Sequence, residues 1–557
     1  KQFDYISKMI DSAAESAVTA GLIDVRQLEA YKTRLSREIA LELGIKGVGE
    51  GVFGFDFSEV LQRQVAIEEI IRSRYFSNNI NGERAAQELL GVRYAAIMQP
   101  SAERLTRRED QLRGIREIVT GLDKEDRVTA VRACGTGKTL VALKVHEEMA
   151  QKQIEVDGRH VTLIQFPSIA LLSQTLSSWR ENLSLPMDAL AVCSDSRVGE
   201  VEEESDGDLS VDDLKKQTGI DVTTDAAKVL SFLKGSSAGN NADNKSGNVP
   251  KVIFATYQSS DVIERALKNS GVTIDLAIAD EAHRTATKVD SEFSSMLDDE
   301  KIPAIKRLFL TATPKIYKQR EDEDGEGDVE LISMNDESRY GKVVHKYSFR
   351  QAVRDGVICD YEVVAIGVSE KDLADQALAD KLGSGTRGNL YDLYLASSRI
   401  ALAKAVKELG IRNIITFHSS IAKAEEYTLG SGGAHLREEL ERVSPEGSLQ
   451  FNLNTVNSHM KVEDREKILD KMSENVGGRE RGVVHVTSNC KVLSEGVDVR
   501  SLDGVQIVDA KSSEIENVQI IGRVMRKSPG KEKGYILVPI VLREGGSIDT
   551  KFIMWYN

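Results

Sequence analysis

The stretch "VRACGTGKTL", residues 131–140, constrains this chain more than any other part of its sequence. The β-branched run "RVTAVR" leads into it, and the helical run "LVALKVHEEM" continues from it. Gly135 and Gly137 allow backbone N–H groups to come close to phosphate oxygens at the start of a helix. The stretch therefore predicts a strand, a phosphate-binding loop and a helix in succession.

The polar residues of this loop have distinct expected roles. Lys138 can reach the outer phosphates of a nucleotide and the Thr139 hydroxyl can hold Mg²⁺, while Thr136 completes the loop between the glycines. The strict pattern G-x-x-x-x-G-K-[ST] is missed at its first position, where Arg132 stands. A glycine-rich turn that binds no nucleotide is the alternative. The flanking strand and helix favour the nucleotide-binding interpretation.

Short β-branched runs alternate with helical runs from about residue 100 onward. The runs "RVTAVR", "VTLIQF", "KVIFAT", "LAIAD" and "RLFLTA", and after about residue 350 "RNIITF", "GVVHVT", "GVQIVD" and "GYILVP", are typical of parallel sheets covered by helices. A length of 557 residues exceeds what one hydrophobic core supports. We therefore expect an α/β protein with an N-terminal mainly helical region (1–98), a first domain (99–348, with a polar insertion at about 195–250), a linker (349–375) and a second domain (376–557).

Composition excludes some classes of protein. Apolar residues make up 41% of the chain and no apolar run approaches the roughly 20 residues of a membrane helix, so we expect a cytoplasmic protein. The four cysteines never form a C-x-x-C pair, which argues against a disulfide scaffold and a cysteine zinc site. The net charge of -15 does not itself suggest a nucleic-acid binder, although it leaves room for a basic groove. Because the chain begins with Lys1, we expect it to be a piece of a longer product.

Two further runs place polar side chains at the ends of apolar strands. In "LAIADEAHRT", Asp280 can hold Mg²⁺ through water while Glu281 activates the attacking water, and His283 is close enough to relay the state of the γ-phosphate. In "LFLTATP", the hydroxyls of Thr311 and Thr313 can bond either a carboxylate of the site or local backbone. A simple turn or helix cap is the alternative for both runs, and the phosphate loop earlier in the chain favours the catalytic interpretation.

The order of these motifs carries a resemblance to a known family. The succession "ACGTGKT", "FPSIALLSQT", "TYQSS", "DEAH", "TATP", "ITFHSSI", "VTSNCKVLSEGVDV" and "QIIGRVMR" resembles the motif set of superfamily 2 helicases and translocases over about residues 100–540. More narrowly, "CSDSRVG", "VICDYEVV" and "SEGVDVRSLDGV" are similar to bacterial DEAD/DEAH-type helicases related to restriction-enzyme motor subunits, which often carry extra helicase-associated modules. "KFIMWYN" is similar to the start of the segment that follows their second motor domain. The resemblance implies two RecA-like domains with ATP and Mg²⁺ between them.

The resemblance also assigns residues around the nucleotide. Gln111 stands where an adenine-reading glutamine is expected, although a surface glutamine on a helix remains the alternative. Glu495, Gly496 and Asp498 match a loop that senses nucleotide and strand, and Gln519 belongs to the motif of the second domain that faces the nucleotide. That motif, "QIIGRVMR", also carries Arg523 and Arg526. Arginines three residues apart lie on one helical face, so both guanidinium groups can point at one anionic centre.

Four hydroxyl residues match positions where the family grips a nucleic-acid backbone: Ser168, Thr256, Ser419 and Thr487. Hydroxyls and helix N-termini suit phosphate oxygens and read no sequence. Ordinary helix capping explains each of the four almost equally well. The resemblance to restriction motors favours DNA over RNA as the partner, whereas composition and spacing cannot separate the two.

We therefore expect an ATP-dependent helicase or translocase that acts on DNA. A double-stranded DNA translocase that never separates strands is one alternative. An ATP-gated clamp or scaffold, working with protein partners in a defence or repair complex, is another. A nuclease within residues 1–98 is disfavoured, because helical runs predominate there and paired carboxylates followed by a lysine on adjacent strands are lacking.

Overall fold

The described part of the chain begins at β1 and ends with β15. The computed structural model describes residues 97–98, 106–194, 211–218, 220–235, 249–289, 291–317, 331–369, 387–444, 448–457, 459–460, 462–474, 482–490, 501–508 and 514–542. All of them belong to one compact unit that starts at Ala96. The N-terminal region expected to be helical lies outside them, apart from the two residues of β1. The segment "KFIMWYN" also lies outside them.

The first sheet contains nine strands in the order β1-β4-β6-β3-β7-β8-β2-β9, with β5 paired to β4. Strand β1 is antiparallel to β4, and the other pairs are parallel. The strands are β1 (Ile97–Met98), β2 (Arg127–Arg132), β3 (Val161–Phe166), β4 (Met187–Val192), β5 (Val222–Thr223), β6 (Lys251–Thr256), β7 (Ile274–Ala279), β8 (Ala304–Thr311) and β9 (Lys342–Tyr347). The helices are α1 (Glu109–Lys124), α2 (Lys138–Asp157), α3 (Ile169–Asn182), α4 (Val211–Thr218), α5 (Ala226–Lys234), α6 (Ser260–Leu267) and α7 (Glu337–Tyr340).

The second sheet contains six parallel strands in the order β10-β15-β14-β11-β13-β12. The strands are β10 (Asp360–Ser369), β11 (Asn413–Phe417), β12 (Gln450–Val456), β13 (Val483–Asn489), β14 (Gly504–Ile507) and β15 (Lys533–Leu542). The helices are α8 (Phe349–Arg354), α9 (Arg387–Leu409), α10 (Ile421–Thr428), α11 (Gly430–Val443), α12 (Val462–Glu474) and α13 (Glu514–Val524). The expected fold class, two tandem RecA-like parallel-sheet domains, is confirmed. We call the two halves lobe 1 and lobe 2.

The central strands of lobe 1 are buried on both faces. Every residue of β3, β4, β6 and β7 is buried, as expected where helices cover both sides of a parallel sheet. Strands β7, β8 and β2 are neighbours in that order, so the loops that follow them leave the same edge of the sheet. This edge gathers the phosphate loop, the "DEAH" run and the "TATP" run.

The chain passes from one sheet to the other by a short ordered route. Strand β9 is an edge strand of the first sheet, beside β2, and α8 leads from it to β10, which is an edge strand of the second sheet. Residues 360–369, which fall within the expected linker 349–375, thus form a strand paired with β15.

The expected polar insertion contains more structure than its composition suggested. Helices α4 and α5 and strand β5 lie within it, and Val229, Phe232 and Leu233 of α5 are buried. These apolar side chains are spaced three and four residues apart, which places them on one helical face. Most of the glycine- and asparagine-rich run at the end of this insertion lies outside the described residues.

Two expectations from composition can be compared with the described residues. Not one of the described helices combines the length and the apolar character that a membrane crossing requires. All four cysteines are described, and none of them forms a disulfide.

Candidate nucleotide site

The phosphate loop links the end of β2 to the start of α2. Gly135 and Gly137 have φ angles of 74° and 83°, in the left-handed region that residues with a Cβ atom rarely adopt. Helix α2 begins at Lys138 and runs for 20 residues, so its N-terminal N–H groups and dipole point at the loop. This combination favours an anion such as the phosphates of a nucleotide.

Gln111 lies against the loop rather than on the surface. Its side chain is buried, and its Oε1 accepts a hydrogen bond from the Arg108 backbone at 3.1 Å, which caps the start of α1. A Cβ atom at Gly137 would lie only 2.5 Å from Gln111 Nε2, so the glutamine amide packs directly against this glycine. Burial excludes the surface alternative for Gln111, while its role in adenine recognition stays a prediction.

Two motifs that are far apart in sequence meet in one ion pair. Lys138 Nζ donates a hydrogen bond to Glu281 Oε1 at 2.5 Å, and the two side chains are only 11% and 12% exposed. Burial alone would lower the pKa of Lys138, but the negative charges around it, Glu281 foremost, together raise that pKa. Burial alone would raise the pKa of Glu281, but the positive charges around it, Lys138 foremost, together lower that pKa. Both groups are therefore charged at neutral pH.

The acidic pair follows directly after β7. The Asp280 carboxylate accepts a hydrogen bond from the Glu281 backbone at 3.0 Å, and the Tyr257 hydroxyl donates to the Asp280 carbonyl oxygen at 2.7 Å. Glu281 has a φ angle of 47°, which is strained for a residue with a side chain. In this conformation the Glu281 carboxylate faces Lys138 of the phosphate loop, and its Oε2 has no hydrogen-bond partner among the described residues.

His283 connects the acidic pair to the "TATP" run. Its Nδ1 lies 3.1 Å from the Thr311 hydroxyl and 3.5 Å from Glu281 Oε2. Burial lowers the pKa of His283 to about 4, so the ring is neutral at pH 7. The Thr313 backbone donates to the Thr311 hydroxyl at 3.1 Å. The Thr311 hydroxyl thus has the local backbone contact that the sequence left open, while its contact inside the site is to His283 rather than to a carboxylate.

Helix α13 of lobe 2 lies on the phosphate loop of lobe 1. A Cβ atom at Gly522 would lie 2.5 Å from Cys134 Cβ, and a Cβ atom at Gly135 would lie 3.5 Å from Arg526 Cγ. Burial raises the pKa of the Cys134 thiol, while the positive charges of Lys138, Arg523 and Arg526 oppose that shift. Both arginines are thus close enough to act electrostatically on the phosphate loop.

The remaining expected residues of the second half are only partly described. Gln519 lies on α13 and is 8% exposed. The expected sensor residues Gly496 and Asp498, with Glu495, lie outside the described residues.

The C-terminal end of α13 is held by two residues that the sequence did not single out. Lys531 Nζ donates to the carbonyl oxygens of Val524, Arg526 and Leu502. The Cys359 backbone N–H donates to the Met525 carbonyl oxygen at 2.8 Å. A lysine beyond the last turn and a cysteine before a strand are weak sequence signals, so only the fold reveals these contacts.

The four expected nucleic-acid contacts fall into different environments. The Ser168 hydroxyl accepts from Leu171 N and caps α3, as the capping alternative predicted. Thr256 is buried and its hydroxyl lies 3.1 Å from that of Ser259. Thr487 is wholly buried within β13 and donates to Met472 Sδ, so in this conformation it cannot contact a nucleic acid. Ser419 is exposed, and Lys423 Nζ donates to it at 2.9 Å.

Comparisons with known proteins agree with this geometry. The family described as "Type III restriction enzyme, res subunit" matches residues 104–316, and the family described as "Helicase conserved C-terminal domain" matches residues 399–528. The chain resembles superfamily 2 helicases related to restriction-enzyme motors over both matched regions. The two matched regions contain the phosphate loop and α13, respectively, so the helicase families cover both sides of the candidate site.

Similar proteins point in the same direction. This chain is 26% identical to the ATP-dependent Type ISP restriction-modification enzyme LlaBIII bound to DNA, with a TM-score of 0.64 over 80% of this chain and 28% of that chain. A nuclease-deletion mutant of the Type ISP enzyme LlaGI, in complex with a DNA substrate mimic, is 25% identical with a TM-score of 0.52, over 78% and 27% of the two chains. A protein of African swine fever virus named a probable helicase is 23% identical over 82% of this chain and 43% of its own length. The chain thus spans less than half of the length of each of these proteins.

Proposed function

We propose that this chain is an ATP-driven motor that moves along DNA. The observation that carries the proposal is the contact of α13, which bears Arg523 and ends two residues before Arg526, with the phosphate loop at Cys134. A nucleotide at this loop has residues from both lobes around it. Binding and hydrolysis can therefore control how the lobes are held together.

The residues at the loop fit a nucleotide with Mg²⁺. The Thr139 hydroxyl and the Asp280 carboxylate are the hard oxygen ligands that Mg²⁺ prefers, and the Lys138–Glu281 bond shows that their two motifs meet. When bound, Mg²⁺ would neutralise charge that develops on the phosphates. Lys138 would then bind the outer phosphates, and Gln111 would position the base. Phosphate oxygens would replace Glu281 as the partner of Lys138.

Hydrolysis then uses groups from both lobes. Glu281, released from Lys138, accepts a proton from the attacking water, and its strained backbone keeps the carboxylate at the edge of the sheet. Arg523 and Arg526 stabilise the transition-state charge, a role worth roughly 10³ to 10⁵ in rate. His283 is neutral and links Glu281 to Thr311, so it reports the state of the carboxylate to the "TATP" run.

Movement follows from repeated closing and opening of the lobes over a bound strand. Ser419 and Lys423 lie after β11 of lobe 2, where a phosphate backbone can be held without reading its sequence. Both Type ISP enzymes compared above were solved with DNA or a DNA mimic, which supports DNA as the partner of this chain. The division into 99–348, 349–375 and 376–557, the cytoplasmic location and the protein partners of a defence or repair complex stay predictions.

The decisive experiment measures ATP hydrolysis in parallel with single-stranded DNA, duplex DNA and RNA at several stated salt concentrations. We expect DNA to stimulate turnover more than RNA does, and the stimulation to weaken as salt rises. Equal rates with and without every polymer would refute the proposal.

A duplex translocase that never separates strands is the second candidate, and the resemblance to Type ISP enzymes favours it. Displacement of a triplex-forming strand without unwinding of a duplex would select it. Strong DNA-stimulated hydrolysis with neither kind of displacement would select an ATP-gated clamp.

A further inference from the structure

Arg132 is a buried arginine at the position where the strict phosphate-loop pattern has its first glycine. Its side chain is fully buried at the end of β2. Nη1 lies 3.2 Å from the Asp110 carbonyl oxygen and 2.9 Å from His345 Nε2, while Nη2 lies 2.5 Å from Asp110 Oδ2 and 3.1 Å from the Thr136 carbonyl oxygen. Both amino groups of the guanidinium are therefore fully used, and they bind α1, β9 and the phosphate loop at once.

The surrounding residues make room for this guanidinium. A Cβ atom at Gly114, in the middle of α1, would lie 3.0 Å from both Arg132 Nη1 and His345 Nε2. Glycine inside a helix is less stable than alanine, so its presence here fits a need for space. His345 Nδ1 lies 2.6 Å from Glu117 Oε2, so Nδ1 carries the proton and Nε2 accepts from Arg132.

The hydrogen bonds to the Thr136 carbonyl oxygen determine the direction in which the next N–H of the phosphate loop points. Arg108 Nη2 donates to the same oxygen at 2.6 Å, so two guanidinium groups hold it on the α1 side. In a trans peptide the C=O and the following N–H point in opposite directions. Holding the Thr136 oxygen therefore directs the N–H of Gly137 away from α1, toward the side on which a phosphate can be bound.

The same guanidinium also contacts the ring of Tyr347, the last residue of β9 in lobe 1, which packs into a core cluster of lobe 2. Arg132 Cζ lies 4.8 Å from the centroid of the Tyr347 ring. That ring is fully buried in a cluster that includes Ile415, Phe417 and Ile536 of the second sheet. The Tyr347 carbonyl oxygen accepts from the Ala133 backbone at 2.9 Å, so the ring is fixed next to the loop.

We propose that Arg132 is a positioning residue that makes the shape of the phosphate loop depend on how lobe 2 is seated, through the Tyr347 ring on one side and the Thr136 carbonyl on the other. The inference rests on the ATP-driven motor proposed above. The inference explains the departure from the strict loop pattern, because Arg132, which stands in place of the first glycine, connects the phosphate loop to lobe 2. A purely structural ion pair with Asp110 would stabilise lobe 1 without this link.

The test measures how strongly DNA changes nucleotide affinity, because coupling between two ligands is a ratio of affinities that folding alone does not set. The affinity of a fluorescent, non-hydrolysable ATP analogue is measured with and without duplex DNA for wild type, Tyr347→Phe, Tyr347→Leu, Arg132→Lys and the double variant Arg132→Lys/Tyr347→Leu. For wild type we expect a ratio of about fivefold or more. Thermal unfolding of each variant shows that it is folded.

Tyr347→Phe keeps the ring and should keep the wild-type ratio. Tyr347→Leu removes the ring and Arg132→Lys removes the planar fork, so both should bring the ratio to within about twofold of unity. The double variant should show no further loss. A wild-type ratio of one, or an unchanged ratio in Tyr347→Leu, would overturn the inference. If Arg132→Lys does not fold, the affinity ratios of Tyr347→Phe and Tyr347→Leu still test the inference.

ATP hydrolysis by wild type is measured separately with and without DNA. Absence of hydrolysis together with an intact affinity ratio would refute the proposed motor but not the link. Hydrolysis that DNA stimulates, together with an unaffected ratio in Tyr347→Leu, would refute the link but not the motor.

Discussion

Lys138 Nζ lies 2.5 Å from Glu281 Oε1, so the lysine of the phosphate loop and the proposed water activator neutralise each other. Neither group is ready for catalysis while this bond persists. In the proposed mechanism, the phosphates of an incoming nucleotide compete with Glu281 for Lys138, and their binding releases the carboxylate. Nucleotide entry and activation of the base are one event in that mechanism.

Glu281→Gln should separate binding from turnover. The amide keeps the size of the side chain but cannot accept a proton, so we expect hydrolysis to fall by about 10² to 10⁴-fold. ATP affinity should be unchanged or higher, because Lys138 no longer has an anionic competitor. Steady-state hydrolysis and equilibrium nucleotide binding measure the two effects. The exposed Glu300→Gln is the matched control, and normal turnover in Glu281→Gln would remove that residue as the activator.

Arg523→Ala should spare nucleotide binding and reduce hydrolysis by roughly 10³ to 10⁵-fold, because the arginine stabilises charge that exists only in the transition state. Arg354→Ala, whose side chain is 74% exposed on α8, is the control. Comparable rates for the two variants would show that α13 does not serve the phosphate loop.

Gly522→Ala should move α13 away from the loop. Its Cβ atom would lie 2.5 Å from Cys134 Cβ, so one of the two elements has to shift. A displacement of about 1 Å in a catalytic arrangement costs about 10²-fold in rate. We expect this loss in hydrolysis with little change in ATP affinity. Cys134→Gly, which removes the opposing Cβ atom, should restore activity in the double variant, and an equally slow double variant would contradict the steric explanation.

Lys423→Ala should weaken DNA binding to the same extent for every sequence. If Lys423 neutralises one phosphate, the slope of log affinity against log salt should decrease in magnitude by about one unit. Titrations of labelled DNA at several salt concentrations measure this slope. Lys467→Ala, which removes a 69% exposed side chain on α12, should leave the slope unchanged.

The free energy of unfolding should fall as pH falls below about 6.5. Burial lowers the pKa of His160 and His283 to about 4, and it also lowers the pKa of His146, His345 and His485. Between the folded and unfolded pKa values the unfolded chain binds more protons, so these groups stabilise the fold above about pH 6.5 and lose that contribution on acidification. Each contributes about 1.4 kcal/mol per pH unit within its window. Urea unfolding at pH 7, 6 and 5 tests this, and a constant stability would contradict it.

The same lowered pKa has a consequence for activity. Because His283 is neutral from about pH 5 upward, it should not give the pH–rate profile an inflection near 6.5. An inflection near 6.5 that His283→Gln abolishes would show that the ring titrates in the working enzyme.

Local sequence patterns predicted the elements that bring Lys138 and Glu281 together. Both follow apolar strands, and strands of a parallel sheet place their carboxyl ends at one edge. The contact between Cys134 and Gly522 could not be predicted, because it depends on how two separately folded lobes meet. Strands β4 and β12 were also absent from the expected series, since "MDALAV" and "QFNLNTV" carry weaker patterns than their neighbours.

An error of one or two residues in a predicted strand end can change the role expected for a residue more than a missed strand does. "GVVHVT" suggested that a strand ends at Thr487, but β13 continues to Asn489 and places the threonine in the interior. Arg132 illustrates a different limit, because the strand "RVTAVR" that contains it was predicted but the burial of its charged side chain was not. Only the combined positions of Asp110, His345 and Tyr347 explain why a guanidinium is buried there.

The backbone hydrogen bond from Cys359 to Met525 ties the chain between the two sheets directly to the end of the arginine-bearing helix. A rotation of that segment should therefore also move the guanidinium groups of Arg523 and Arg526. Because of this bond, we expect the angle between the two lobes and the distance from the arginines to the phosphate loop to change together.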